Sequence, residues 1–137
     1  MIDFSELNEA GLPDKDPVLR VTTRPNDANP NGDIFGGWLM SEIDIAGAIA
    51  AGKRAAGPIV TVAVKELLFI KPLYVYDLVS FYADVIATGK SSVTVFIEVY
   101  AHRSRGAHGE PAIKVSNATL VYVAVSEPGK PRLLPAI

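Results

Sequence analysis

The residues best suited to chemistry in this chain fall within one stretch, 29–51, NPNGDIFGGWLMSEIDIAGAIAA. Asp44 stands inside an apolar run whose Trp38, Leu39, Met40, Ile43, Ile45 and Ile49 spread over all sides of a helical wheel. A carboxylate in such a rod is costly unless it is paired or neutralised, so its presence asks for a reason. It can serve as a general acid or base, or attack directly. Upstream, Gly36 and Gly37 open the run. A helix beginning there presents free backbone N–H groups and the positive end of its dipole. With no side chains at these positions, a carbonyl can approach the backbone and have the charge developing on its oxygen stabilised. Asn29 precedes them among turn-formers and offers a neutral amide able to orient a water. Plainer readings stand beside each: Asp44 bonding a partner's backbone, Gly36 and Gly37 permitting tight packing, Asn29 closing an Asx-turn. Asp33 reads as a helix-start acid, Glu42 as a solvated or interface residue, and Ser41 as structural.

Distance decides how these groups combine. Asp44 lies eight residues beyond Gly36, which at ~1.5 Å rise per residue is roughly 12 Å along the axis. One reacting carbon cannot touch both ends of that span. If Asp44 is catalytic, the carboxylate serving a given site comes from a second copy across a two-fold axis.

Positioning such a helix is the task of the remaining chain, 137 residues, enough for one domain, 1–137, with one core. The chain is 49% hydrophobic and only 20% charged, which suggests further apolar surface buried between subunits. A net charge of −2 gives no electrostatic case for nucleic acid or an anionic membrane. Without cysteine there is neither a disulfide framework nor a thiol nucleophile. Residues 1–16 are polar and acidic, unlike a signal peptide, and Glu42, Asp44, Lys53 and Arg54 interrupt the apolar run too often for a membrane span. A soluble cytoplasmic protein is expected. His102 and His108 lack a neighbouring acidic or cysteine cluster, so no metal site is expected, and neither sits where a serine–histidine–acid triad would need it.

In order, residues 1–17 form a loose lead-in and 18–24 a short strand. The helix runs from Gly36 or Gly37 to Arg54, whose last-turn cations Lys53 and Arg54 suit its dipole, and 55–58 stop it. Period-two patterns then predict strands at 59–70, 77–87, 91–103 and 113–125, with 126–137 a tail. Val60, Val62 and Val64 share one face of the first of these; Val93, Val95, Ile97 and Val99 share one in the third; Ile113, Val115, Val121, Val123 and Val125 share one in the last. Short connections favour an antiparallel meander. Strands of about a dozen residues, at ~3.3 Å each, coil strongly. The economical α+β packing is a curved sheet wrapped around the helix, buried on every side.

A helix wrapped by a long antiparallel sheet is the hot-dog fold. Asp27-Ala28-Asn29, Gly32, Phe35-Gly36-Gly37-x-Leu39-Met40, Asp44 and Gly47-Ala48 together resemble the acyl-CoA thioesterase branch of that superfamily, most closely the small bacterial YciA-like enzymes. Phe69-Ile70-Lys71-Pro72, Gly89-Lys90-Ser91-Ser92-Val93 and Tyr122-Val123-Ala124-Val125 support the likeness. The resemblance implies hydrolysis of acyl-CoA to a fatty acid and CoA, a homodimer as catalytic unit, and a hexamer built as a trimer of dimers. It makes Gly36 the helix-start glycine, Asp44 the catalytic acid and Asn29 the catalytic amide. One departure is Ala48, four residues after Asp44, where some relatives carry a hydroxyl.

On this likeness CoA enters as part of the substrate and no cofactor is expected. Lys90, Ser91 and Ser92, after Gly89, are candidates for the pyrophosphate. Lys71, Arg103 and Arg105 are candidates for the nucleotide phosphates. The plain alternative for each is a solvated hairpin charge. Two rival functions remain. Asp27-Ala28-Asn29-Pro30 resembles the Asp-x-Asn-Pro-x-His motif of hot-dog enoyl-CoA hydratases, but Asn31 and Gly32 follow in place of a histidine. The other rival is a non-catalytic acyl-CoA-binding module.

Overall fold

The computed structural model describes residues 11–103 and 111–137. Arg105, His108 and most of the N-terminal lead-in therefore lie outside the described residues. Helix α1 spans Gly36–Ala55. Its C-terminus closes through Ala56, which takes the left-handed conformation at φ 53° and donates its N–H to the Gly52 and Lys53 carbonyls. The strands are β1 (Leu19–Thr22), β2 (Ile59–Phe69), β3 (Leu78–Thr88), β4 (Ser92–His102), β5 (Ile113–Glu127) and the short β6 (Lys130–Pro131). All pair antiparallel in the order β1-β3-β4-β5-β2, and β6 folds back onto β5.

That order corrects the simple meander. Successive neighbours hold for β3, β4 and β5, whereas β2 lies at the far edge beside β5, from Ile59 opposite Ala124 to Phe69 opposite Ser116. The helix end delivers the chain there, with Val125 N–H donating to the Pro58 carbonyl at 3.1 Å. The return from β2 to β3 then crosses the mouth of the fold, where the Leu73 carbonyl accepts the Ile34 N–H at 2.8 Å. This crossing places residues 70–73 beside the start of the helix.

The core lies between α1 and the concave face of the sheet. Val93, Val95, Ile97 and Val99 of β4 are all fully buried, as their alternation predicts, against Ile43 and Ala46 of the helix and Phe81 of β3. Full burial of a large apolar side chain contributes about 1.5–3 kcal/mol relative to exposure.

In β5 the expected face is wrong over the strand's central part. Ala118, Leu120, Tyr122 and Ala124 are buried there, while Val121 and Val123 are only partly so. The cause is a bulge: Val99 pairs with Ser116 and Tyr100 with Lys114, so Val115 is an extra residue and the inward phase switches across it.

Nor is the helix covered all round. Leu39, Ile43, Ala46, Gly47, Ala51 and Ala55 face the sheet. Met40, Ile45 and Ile49 stay 49%, 47% and 37% exposed. Val60, Val62 and Val64 of the edge strand β2 are exposed as well, and register shifts after Thr61 and Val64 break its alternation. One chain has sheet for only one side of this helix. Among the described residues, no helix is long and apolar enough to cross a membrane.

Candidate active site

A cleft of ≈ 340 Å³ opens at the N-terminal end of α1, between the helix start and residues 69–73. Asn29, Gly36 and Lys71 line it together with Phe35, Phe69 and Leu39. Asn29 is held from several directions. Its N–H donates to the Asp33 carbonyl at 2.8 Å, and its carbonyl accepts the Gly32 N–H at 3.0 Å. Its side-chain Oδ1 accepts the Asn31 N–H at 2.8 Å, which is an Asx-turn. The Asx-turn and the cleft position are compatible: with Oδ1 engaged, the amide NH2 is the group of this side chain left to donate. Gly32, at φ 95°, completes the turn in a conformation that favours glycine.

The helix start carries no side-chain cap. Trp38 N–H bonds the Phe35 carbonyl at 3.1 Å, while the N–H groups of Gly36 and Gly37 stand too near the helix start to have an intrahelical acceptor. The two glycines differ in surroundings. A Cβ on Gly36 would lie 3.3 Å from the Phe69 ring, so that position is tight; one on Gly37 would meet nothing within 4 Å. Among the described residues of the single chain, packing explains Gly36 in part and Gly37 not at all.

Asp44 does not line this cleft. It sits midway along α1, half-buried in the single chain rather than enclosed. Its Oδ1 accepts the Thr61 Oγ1 hydrogen at 2.7 Å from β2 and lies 3.1 Å from the Tyr122 hydroxyl of β5. That hydroxyl also donates to the Asp44 backbone carbonyl at 2.8 Å. Burial first, then the Asp44 charge and the hydrogen bond to it, push the Tyr122 phenol well above the usual tyrosine range. Tyr122 and Thr61 were not recognised in the sequence as site residues. Both hydroxyls beside Asp44 come from strands, whereas position 48 on the helix holds alanine. Glu42, also half-buried, has its carboxyl raised by burial and by the nearby Asp27.

The candidate CoA-binding residues are divided by the sheet. Lys71 lines the cleft. Lys90, Ser91 and Ser92 lie at the β3–β4 turn, at the other end of the strands, where Val93 pairs with Tyr122 and Tyr122 with Thr61. They thus share the Asp44 end. Arg103 is already engaged: Nε lies 3.1 Å from Asp77 Oδ1, Nη2 donates to the Pro72 carbonyl at 2.7 Å, and the guanidinium stacks 4.9 Å from the Tyr74 ring centre. It braces the crossing segment from behind. Among the described residues no cluster of three or more histidine or acidic side chains is placed to hold a metal ion.

Each chain therefore carries a helix-start cleft with an asparagine and, well separated from it, a hydroxyl-bonded carboxylate. Residues 31–107 match the thioesterase superfamily, and this span takes in the helix start and Asp44. The chain belongs to the thioesterase superfamily. Among similar proteins, the acyl-CoA thioester hydrolase YciA of Escherichia coli K12 is 45% identical over 124 residues, covering 90% of this chain and 94% of the relative. The solved hexameric thioesterase y2039 from Yersinia pestis superposes with a TM-score of 0.83 at 48% identity, covering 92% of this chain and all of that one. The hexameric broad specificity acyl-coenzyme A thioesterase HI0827 superposes with a TM-score of 0.83 at 41% identity over 88% of each chain. The superfamily's hot-dog architecture is the one described above, a helix against an open antiparallel sheet.

Proposed function

We propose that this thioesterase-superfamily protein hydrolyses acyl-CoA in a site completed by two subunits, each contributing one of the two halves. The observation that carries the proposal is the separation of the halves on one chain: Asn29 and Gly36 line the cleft, and Asp44 does not. In the shared site the thioester carbonyl lies against the Gly36 and Gly37 N–H groups, which stabilise the oxyanion as it forms. Asn29 orients the attacking water through its amide. The Asp44 carboxylate of the second subunit takes the water proton as hydroxide oxygen bonds to the carbonyl carbon. Collapse of the tetrahedral intermediate breaks the C–S bond, and the proton passes to the CoA sulfur. In the alternative course the carboxylate itself attacks and an anhydride is hydrolysed afterwards. Labelled oxygen found in the protein after one turnover in labelled water selects the second course.

Two further features support the shared site. Met40, Ile45 and Ile49 on the helix, with Val60, Val62 and Val64 on the β2 edge, form the uncovered apolar surface that a second copy would bury. Several relatives are described as hexameric, which a trimer of such dimers satisfies. The single hot-dog domain then serves as the half-site unit. A two-fold axis also sets Lys71 of one subunit with Lys90, Ser91 and Ser92 of the other, as groups for the CoA phosphates. Arg105 belongs to the same candidate set, and Arg103 would act through the Lys71 segment that it braces. CoA enters as part of the acyl-CoA substrate and leaves as a product; the proposal requires no separate cofactor.

The test here is thiol release from acyl-CoA by the wild type and by Asp44→Asn, with folding checked by circular dichroism. Loss of a general base costs ~10²–10⁴-fold. A folded Asp44→Asn protein with near-normal turnover refutes the assignment. Hydration of crotonyl-CoA without thiol release would indicate a hydratase instead, and tight binding without turnover a binding module.

A further inference from the structure

We infer that Tyr122 is the positioning residue for the Asp44 carboxylate, and that Gly47 is glycine so that the Tyr122 hydroxyl can reach it. The inference rests on Asp44 being the catalytic acid. Tyr122 is fully buried, and a buried phenol needs a partner for its hydroxyl. That partner is Asp44 twice over: the backbone carbonyl at 2.8 Å and Oδ1 at 3.1 Å. The single hydroxyl proton bridges these acceptors, so the phenol ties the carboxylate to the helix backbone at the same residue. Thr61 Oγ1 donates to Oδ1 as well, at 2.7 Å. Both donors converge on Oδ1. Oδ2 receives neither, and is the oxygen left to take a proton or to attack.

Gly47 supplies an independent observation. It is buried in the middle of α1, one turn beyond Asp44. A glycine inside a helix is destabilising relative to alanine, so the position has a reason. A Cβ there would collide with the Tyr122 hydroxyl, and would come within 3.0 Å of the ring carbons Cε1 and Cζ. The closest obstacle is thus the oxygen that bonds Asp44. Helix and strand approach each other at this point closely enough to deliver a hydroxyl to a carboxylate. The phenol is also pushed above the usual tyrosine range by burial and by Asp44, so it stays a donor into the alkaline range as well.

The experiment measures thiol release and thermal unfolding for Tyr122→Phe, Gly47→Ala, the double variant and Asp44→Asn. Removing a hydrogen bond to a charged group corresponds to roughly ten- to a hundredfold in rate. Tyr122→Phe is expected to lower kcat by that factor while KM stays within about twofold, since substrate binding does not use the hydroxyl. Gly47→Ala is expected to reproduce the loss by displacing the hydroxyl. In the double variant the added methyl still crowds the ring carbons but displaces no hydroxyl from Asp44, so its further effect on kcat is smaller than on the wild type. Should Tyr122→Phe fail to fold, the kinetics of Gly47→Ala decide: kcat lost with KM kept supports the inference, and full turnover overturns it. A folded Tyr122→Phe protein with unchanged kcat, beside an inactive Asp44→Asn, overturns the inference and leaves the Asp44 assignment standing. An active Asp44→Asn protein overturns that assignment instead.

Discussion

Mixing two inactive variants tests the shared site directly. Asn29→Ala removes the amide on the cleft wall, and Asp44→Ala removes the carboxylate that lies outside that cleft. The eight residues from Gly36 to Asp44 correspond to roughly 12 Å along α1, more than one tetrahedral carbon can bridge. If Asn29 and Asp44 of a given site come from different chains, a mixed dimer holds one site with both residues intact and one with neither. With random exchange, the fraction of whole sites is the product of the two variant fractions. It is about a quarter at equal amounts and about 9% at a nine-to-one ratio, since half of all dimers, then fewer, are mixed. Subunits would be exchanged by mild denaturant and dilution, and thiol release measured across the mixing ratio. The expected curve is a parabola peaking at equal amounts with about one quarter of wild-type activity. A flat line at the background of the parents refutes the reasoning, because two residues serving one site from the same chain can never be reunited by mixing. Strong impairment of Asn29→Ala alone is part of the expectation; near-wild-type turnover by that variant removes Asn29 from the site.

The remaining predictions concern CoA recognition and pH. Lys71→Ala should raise KM for acyl-CoA with kcat held, and the ratio to wild type should shrink as salt is added, the mark of a screened phosphate contact; an unchanged KM at low salt places the phosphates elsewhere. Burial, with Glu98 and Tyr82 adding to it, raises the Tyr100 phenol, as burial and Asp44 raise Tyr122. Unfolded tyrosine ionises near pH 10, roughly where the folded phenols still hold their protons. Stability should therefore be intact below about pH 10 and fall as pH rises beyond it, because the unfolded state loses protons that the folded state keeps. Tyr122→Phe should lessen that slope by about one proton, read from urea unfolding at stepped alkaline pH; an unchanged slope contradicts the buried-phenol account.

The sequence by itself determined the elements whose causes are local. The apolar run behind Gly36 and Gly37 specifies α1, and the last-turn Lys53 and Arg54 followed by Gly57 and Pro58 mark its end. The alternation in β4 specifies which of its residues enter the core, since Val93 to Val99 sits in an unbroken register with β5. Asn29, Gly36 and Asp44 were legible as candidates because a turn, a helix start and an acid among apolar residues are exceptional within a few residues of sequence. Tertiary structure decided the rest, for reasons that reach across the chain. The bulge at Val115 reversed the inward phase of β5, and with it exchanged Val121 and Val123 for Leu120 and Tyr122. No periodicity in β5 contains that information, because the extra residue is defined only against its partner strand. The position of β2 beside β5 depends on where the helix releases the chain, and it alone brings Thr61 to Asp44. Tyr122 lies 78 residues beyond Asp44 in the chain. What couples them is the absence of a Cβ at Gly47, a fact about the space between a helix and a strand that the letters G and Y do not state until the two are packed together.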